Sequence, residues 1–237
     1  VYDGAPTVFT SFMATIVKSV AFFAFLHLFD GAFGNLRNDW KMLVAIIASL
    51  TLFIGNITAV FQQSVKRMLA YSSIAQAGFM MLAILTLNVF AKQGLLLYFA
   101  GYSIATLGIF AVLTKMKDHS IEAFNGFAKT NPLMAVSLLI SLLSLAGIPL
   151  TAGFFAKYYM LLAVIREGSM IWLVIFAVLC AAVSVYYYFR VIQAMYFKEP
   201  NEGSAVQFSS SFKWLMVLNA LLIIVLGIHP DLILSLI

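Results

Sequence analysis

The chain has 237 residues, of which 63% are hydrophobic and only 10% carry a charge. A water-soluble domain is nearer half apolar and a quarter charged, so this composition excludes an ordinary soluble fold. The formal charge of +5 is spread between hydrophobic runs and forms no basic patch interleaved with aromatics, which excludes nucleic acid and favours the lipid bilayer as the partner.

Seven hydrophobic segments are long enough to cross a bilayer, which takes about 20 mostly apolar residues. In chain order they are residues 6–29, 42–62, 68–90, 93–114, 132–166, 169–196 and 213–230. Each is predicted to be a helix, because open strands would leave unpaired backbone groups in lipid. The sequence therefore predicts an all-α, polytopic transmembrane helix bundle that forms a single domain over residues 1–237.

The fifth segment, residues 132–166, is longer than one crossing requires and holds Gly147-Ile148-Pro149 in its middle. Pro149 has no backbone N–H and disfavours helix at Ile148. One interpretation is a single crossing built from two half-helices, as in transporters whose discontinuous helices expose backbone groups to an ion. The other interpretation is a plain proline kink.

The charged loops predict an orientation, since cytoplasmic loops carry an excess of Lys and Arg. The side that holds the N-terminus carries seven basic loop residues and the opposite side four. The seven are Lys66, Arg67, Lys115, Lys117, Lys129, Lys198 and Lys213, and the four are Arg37, Lys41, Lys92 and Arg166. We therefore expect the N-terminus of this chain to be cytoplasmic and its C-terminus to lie on the opposite face, which in a bacterial inner membrane is the periplasm.

Two lysines lie inside predicted spans: Lys18 near the centre of the first and Lys157 well inside the fifth. The acidic residues fall in loops or at the chain ends: Asp3, Asp30, Asp39, Asp118, Glu122, Glu167, Glu199, Glu202 and Asp231. A lysine at the bilayer centre costs about 2.5–3.5 kcal/mol, and the low dielectric destabilises its ammonium, so the side chain can take up and release a proton. We interpret both lysines as proton-relay groups; the alternative is a snorkelling lysine whose head reaches the lipid headgroups.

Weaker candidates surround these lysines. Ser72, Ser73 and Gln76 form a polar stripe in the third span that could hold water or could only join helices. His27 lies nine residues beyond Lys18, roughly on the opposite side of an ideal helix, and is interpreted as interfacial rather than as a relay partner. The complete supporting set is Lys66, Ser72, Ser73, Gln76, His27, Pro149 and Tyr158.

Aromatic and basic residues near the helix ends have a simpler interpretation. The sixth span carries, toward its cytoplasmic end, Tyr186, Tyr187, Tyr188 and Arg190. We interpret them as an aromatic belt with a snorkelling arginine.

Several chemistries are not expected within this chain. The sequence has no G-x-G-x-x-G, no Walker A motif and no cysteine cluster, and its one cysteine, Cys180, excludes an intrachain disulfide. We therefore expect no cofactor-binding or metal-binding residue here. The energy for transport would come from an ion gradient or from a partner subunit.

Four segments carry a family resemblance when taken in this order: VYDGAPTVFTSFMATIVKSVAFF, SVKRMLAYSSIAQAGFMM, LSLAGIPLTAGFFAKYYML and VYYYFRVIQAMYFKEP. Together they resemble the subunit N family of proton-pumping NADH–quinone oxidoreductases (respiratory complex I), within the broader antiporter-like group of membrane subunits. The resemblance runs from the first residue to the last.

The resemblance implies a position for this chain within the family fold. Family members have fourteen helices containing two inverted repeats, and this chain would be the C-terminal half, helices eight to fourteen. The opening VYDGAPT reads as an interhelical loop with no signal peptide, so further sequence upstream of Val1 is expected. The family's lysines of the eighth and the broken twelfth helix match Lys18 and Lys157, and a glutamate and a further lysine of the family would lie upstream.

The resemblance implies a translocase subunit that does no redox chemistry itself. Protons would pass from the cytoplasmic side through Lys18 toward Lys157, coupled to quinone reduction in partner subunits of the membrane arm. Those partners would hold the FMN, the iron–sulfur clusters and the quinone. Two alternatives stay open: a subunit of a multisubunit sodium/proton antiporter, and a structural membrane subunit without a proton path of its own.

Overall fold

The computed structural model describes residue 2, residues 4–200 and residues 206–235, and within them it is a bundle of eight long helices. The helices are α1 (Thr7–Gly31), α2 (Arg37–Val60), α3 (Val65–Thr86), α4 (Val89–Leu113), α5 (Pro132–Ala146), α6 (Ala152–Glu167), α7 (Ile171–Phe197) and α8 (Ser210–Ile228). Short helical turns at Gly34–Leu36, Glu122–Phe124, Phe127–Thr130 and Asp231–Leu234 complete it.

Six of these helices are long and apolar enough to cross a membrane, namely all except α5 and α6. The apolar α5 is only 15 residues long and α6 only 16, so the two together make one further crossing. The predicted all-α bundle with one discontinuous span is therefore confirmed. Two of the acidic loop residues, Asp3 and Glu202, lie outside the described residues.

The predicted spans differ from the helices at their polar ends. The largest difference is at α2, which begins at Arg37 rather than at residue 42. A count of apolar residues omits this first turn because the turn is polar. Its side chains nevertheless form hydrogen bonds with neighbouring residues, since Trp40 Nε1 donates to the carbonyl of Phe33 at 2.9 Å.

The core of the bundle is formed by α3 and α4, whose apolar stretches are 72% and 67% buried, against 22% for α1 and for α8. Small residues let α2 approach α3 closely. A Cβ at Gly55 would lie 2.5 Å from the backbone nitrogen of Ala75, and one at Gly78 would meet the side chain of Leu52 at 2.7 Å. Polar side chains on α3 are therefore held in protein rather than in lipid.

The break between α5 and α6 is a change of backbone conformation. Gly147 ends α5 with a left-handed φ of 85°, and the N–H groups of Gly147 and Ile148 both donate to Leu143 O at 3.0 Å. Leu150 also has a positive φ, of 72°, and Thr151 is extended before α6 begins. A plain proline kink would keep helical dihedrals through the bend, so that interpretation is wrong; Pro149 lies exposed in the connection.

The loop between α4 and α5 folds back onto the start of α3. The N–H of Val65 donates to the carbonyl of His119 at 2.7 Å, and the N–H of Ile121 donates to that of Gln63 at 2.8 Å. Asp118 accepts the hydroxyl of Ser120 at 2.6 Å and its N–H at 2.9 Å, and these bonds hold the pKa of the carboxyl below its usual value. The loop is thereby ordered outside the membrane-spanning helices.

Candidate functional site

Lys157 lies at the break between the two half-helices. Its side chain is 7% exposed, and its Nζ donates to the carbonyls of Leu145 at 2.9 Å and Ala146 at 3.0 Å. These are the last carbonyls of α5, which have no further helix to bond to. A cation at the C-terminal end of a helix is also favoured by the helix dipole. Lys157 therefore does not snorkel to the headgroups; it completes the end of α5.

The ammonium of Lys157 also faces an aromatic ring. Its Nζ is 5.2 Å from the centroid of Phe79 on α3. Gly147 leaves room for the side chain, since a Cβ there would lie 2.9 Å from Cδ of Lys157. The contacts fix where the amine sits but supply no negative charge.

Lys18 repeats this arrangement on α1. Its Nζ donates to the carbonyl and to the hydroxyl oxygen of Ser73 on α3, and it lies 5.3 Å from the ring centroid of Tyr102 on α4. A π-helical stretch, Met13–Val17, directly precedes the lysine. Such stretches are frequent at functional sites because they re-aim the side chains that follow. Here Lys18 points into the bundle toward α3.

Gln76 on α3 joins the surroundings of the two lysines. Its Nε2 donates to Leu145 O at 3.2 Å, the same carbonyl that Lys157 bonds, and to the hydroxyl of Tyr188 at 3.3 Å. Its Oε1 accepts the hydroxyl of Tyr98 on α4. The Tyr188 hydroxyl is bonded in turn to Ser72. The predicted stripe of Ser72, Ser73 and Gln76 is thus a set of interhelical hydrogen bonds, in which Ser73 bonds Lys18 and Gln76 shares the Leu145 carbonyl with Lys157.

Two cavities flank this polar cluster. A cavity of about 10 Å³ touches Lys157, Gln76, Tyr98 and Tyr102. A larger, open cavity of about 560 Å³ lies on the other side of Lys18 and is lined by Tyr2, Lys18, Arg67, Ala70, Tyr71, Ser73, Ile74 and Ala77. Lys18 therefore borders a large open cavity, whereas Lys157 borders a very small one.

No carboxylate among the described residues forms an ion pair with Lys18 or Lys157. The ion pairs found among the described residues lie at the ends of the bundle, such as Lys92 with Asp30 and Lys129 with Glu199. Both intramembrane lysines are therefore held by neutral groups within the part of the chain that the structure describes.

The remaining sequence candidates are not brought to this cluster. His27 is exposed on α1, in accord with an interfacial residue, and Tyr158 is 47% exposed and stacks on Phe154. Lys66 is buried in the first turn of α3, where its Nζ donates to Ala5 O at 2.6 Å. Of the seven supporting residues, only Ser72, Ser73 and Gln76 have side-chain bonds within the cluster.

The interpretation of the α7 tyrosines as an aromatic belt is wrong for two of them. Tyr186 is 58% exposed, but Tyr187 and Tyr188 are fully buried, because consecutive residues of a helix face different directions. Tyr187 donates to Asn56 Oδ1 at 3.1 Å. The guanidinium of Arg190 lies at the C-terminal end of α2, where it donates to Val60 O at 2.6 Å and to Gln63 Oε1 at 2.9 Å.

Sequence reasoning missed Tyr98 and Tyr102 of α4. Both are buried, at 2% and 4% exposure, and both touch the small cavity beside Lys157. Their spacing of four residues places them on one helix face, which was the available signal. Because both tyrosines lie in an apolar run, nothing in the sequence indicates that their hydroxyls face a polar site.

The fold and site together define a class: a multi-pass membrane protein with a discontinuous helix, a buried lysine held at its break and a second lysine that points into the bundle from α1. Residues 1–184 match the NADH:quinone oxidoreductase/Mrp antiporter transmembrane family, and the chain belongs to that family. The predicted resemblance is therefore confirmed.

Among its relatives, NADH-quinone oxidoreductase subunit N of Cytophaga hutchinsonii is 42% identical, over 99% of this chain and 52% of its own length. A chain of respiratory complex I from Thermus thermophilus superposes with a TM-score of 0.84 at 34% identity, covering 99% of this chain and 52% of that one. A chain of the Mrp complex from Dietzia sp. shares the fold, with a TM-score of 0.87 at 18% identity, over 99% of this chain and 53% of that one. The chain spans about half the length of the curated relatives it matches.

Proposed function

We propose that this chain is a proton-translocating part of subunit N of an NADH–quinone oxidoreductase, and that Lys18 and Lys157 carry the protons. The observation that carries the proposal is Lys157 itself: a buried amine bonded to two carbonyls of a broken helix, with an aromatic ring beside it. Identity of 42% to a subunit N favours this assignment over a sodium/proton antiporter subunit, to which the likeness is one of fold.

The chemistry of the site suits reversible protonation. Carbonyl oxygens accept hydrogen bonds from an ammonium and from a neutral amine alike, so they hold Nζ in place in both states. A carboxylate in direct contact would instead fix the charged form. Since neutral groups hold both lysines, a change in the surrounding field is sufficient to shift either one between its two forms.

The proposed path runs in the plane of the bundle. Protons reach Lys18 from the side of the open cavity, pass the polar cluster around Gln76, and reach Lys157. In this proposal the quinone, the FMN and the iron–sulfur clusters belong to partner subunits of the membrane arm and of the complex, and this chain binds none of them.

The proposed orientation is N-terminus cytoplasmic and C-terminus periplasmic, in a bacterial inner membrane. Three of the four basic loop residues on the opposite side are paired with carboxylates: Arg37 and Lys41 with Glu167, and Lys92 with Asp30. The proposed orientation rests on the count of basic loop residues, seven on the N-terminal side against four on the opposite side, because carboxylates contribute little to orientation.

The test is to replace Lys157 or Lys18 by Ala in the intact membrane complex and to measure protons moved per NADH oxidised in inverted membrane vesicles. We expect pumping per electron to fall several-fold in both variants. Lys129→Ala is the matched control, because Lys129 is an exposed lysine paired with Glu199 at 2.7 Å. If both variants assemble normally and pump as the control does, the proposal is wrong. Sodium transport in the absence of NADH oxidation would instead indicate a subunit of a sodium/proton antiporter.

A further inference from the structure

The side-chain amide of Gln76 is fully bonded and has one possible orientation. Leu145 O can only accept a hydrogen bond, so the nitrogen of the amide must face it and the oxygen must face Tyr98. Tyr98 must then be the donor to that oxygen. The second amide hydrogen goes to the hydroxyl of Tyr188. Both donors of Gln76 and its acceptor are in use.

An amide in this position separates the two lysines instead of connecting them. A neutral amide takes up and releases no proton in the physiological range, so a hydrogen-bond chain that ends on Gln76 carries no proton through it. The Tyr98 hydroxyl points its hydrogen at this amide rather than at Lys157 or at the cavity. On α3, Gln76 lies between Ser73, which Lys18 bonds, and Phe79, which lies beside Lys157, so a route between the lysines along this helix is interrupted at Gln76.

The cavity beside Lys157 has no room for a continuous water chain in this conformation. The cavity between Tyr98, Tyr102 and Lys157 has a volume of about 10 Å³. A cavity needs roughly 10–15 Å³ to hold one water molecule, so this one is at the lower limit and cannot hold a chain of them. A continuous water chain requires the Tyr98 side chain to leave Gln76.

We infer that Tyr98 and Gln76 form a gate between Lys18 and Lys157, which the Tyr98–Gln76 hydrogen bond holds closed. The inference rests on the proposed function and adds the step that controls it. The gate opens when the Tyr98 hydroxyl leaves the amide oxygen, because that oxygen then needs a water as its donor and the cavity fills. Tyr98 and Gln76 are positioning residues here, since they act through water on the lysines.

The test is Tyr98→Phe, with Tyr187→Phe as the matched control. Both substitutions remove one buried phenol hydroxyl that donates to a side-chain amide oxygen, Gln76 in one case and Asn56 in the other. Only the first lies between the lysines. The purified complex is reconstituted into phosphatidylethanolamine–phosphatidylglycerol vesicles, and two quantities are measured: passive proton leak under a potassium diffusion potential, and protons pumped per NADH.

We expect Tyr98→Phe to raise the leak several-fold and to lower the pumping ratio, while NADH oxidation continues. Tyr187→Phe should match the unchanged protein in both. A second variant, Gln76→Glu, puts a titratable group of the same shape in the gate and should also leak. The gate is refuted if Tyr98→Phe leaks no more than Tyr187→Phe, or if it loses pumping without leaking. If Lys157→Ala pumps normally, the proposed function fails independently of the gate.

Discussion

Lys18 and Lys157 are on different helices but have the same kinds of contact. Each bonds to backbone carbonyl oxygen on a neighbouring segment, and each lies over an aromatic ring, at 5.3 Å from Tyr102 and 5.2 Å from Phe79. A cation–π contact is worth about 0.5–2 kcal/mol, depending on desolvation. The stabilisation of the ammonium is thus moderate, which suits the reversible protonation proposed for both lysines.

Gly147 is the residue on which the position of Lys157 depends. Replacement by Ala should cost about 1–2 kcal/mol for the left-handed backbone and should also push the lysine side chain away from the carbonyls. We expect Gly147→Ala to lower both the unfolding temperature of the complex and its pumping ratio.

Gly168→Ala is the control for this substitution. Its φ is 76°, but a Cβ there meets nothing within 4 Å, so it introduces the backbone strain without the clash. It should lower the unfolding temperature alone, as measured by thermal denaturation in detergent. Equal pumping by the two variants would contradict the positioning role of Gly147.

At the scale of elements, the two half-helices are joined by a hydrogen bond across the break. The N–H of Gly153, in the first turn of α6, donates to Ser144 Oγ of α5 at 3.1 Å. The first N–H groups of a helix have no partner within it, so this bond satisfies one of them. The end of α5 and the start of α6 are therefore held together side by side.

Ser144→Ala should separate these elements. It removes the partner of the partly buried Gly153 N–H, at a cost of about 0.5–1.5 kcal/mol. Ser137→Ala on the same helix is the control, because Ser137 bonds only the carbonyl of Leu133 within α5. We expect a larger fall in unfolding temperature for Ser144→Ala, and equal falls would show that the contact does not hold the break.

Hydropathy predicted the helices and the break but not the directions of their side chains. A run of about 20 apolar residues predicts a helix that crosses the membrane. Gly147 and Pro149 mark the place where α5 ends. Which face of α4 or α7 turns inward depends on packing, and tyrosine suits both lipid interface and core. This is why Lys18, Lys157 and Gln76 could be singled out from sequence, whereas Tyr98, Tyr102 and Tyr188 could not.

At the scale of the whole molecule, arginines close the two ends of the bundle. At one end Arg37 of α2 donates to Leu85 O and Thr86 O of α3, at 3.0 and 2.7 Å, and to Glu167 of α6 at 2.8 Å. At the other end Arg190 of α7 bonds the carbonyls that end α2. Planar guanidinium groups suit this role because one side chain can bond several acceptors.

Arg37→Ala should therefore loosen three helices together. Hydrogen bonds to a charged group contribute about 1.5–3 kcal/mol, and the lower end applies because the side chain is 34% exposed. We expect a lower unfolding temperature of the complex with the pumping ratio retained. Arg166→Ala is the control, since that exposed arginine lies over the ring of Phe90. An equal fall in unfolding temperature for both variants would contradict the role of Arg37 in joining the three helices.

The π-helical stretch before Lys18 bears on how the chain tolerates insertion and deletion. A π turn is what an α-helix adopts when it takes in one additional residue while both flanking parts keep their places. Deleting one residue within Met13–Val17 would therefore restore a regular helix while Lys18 keeps its direction relative to the segment before it. In a comparison of lengths across relatives, a gap of one residue at this place is thus compatible with an unchanged direction of the lysine, whereas the same gap in a regular helix would turn the residues beyond it by about 100°.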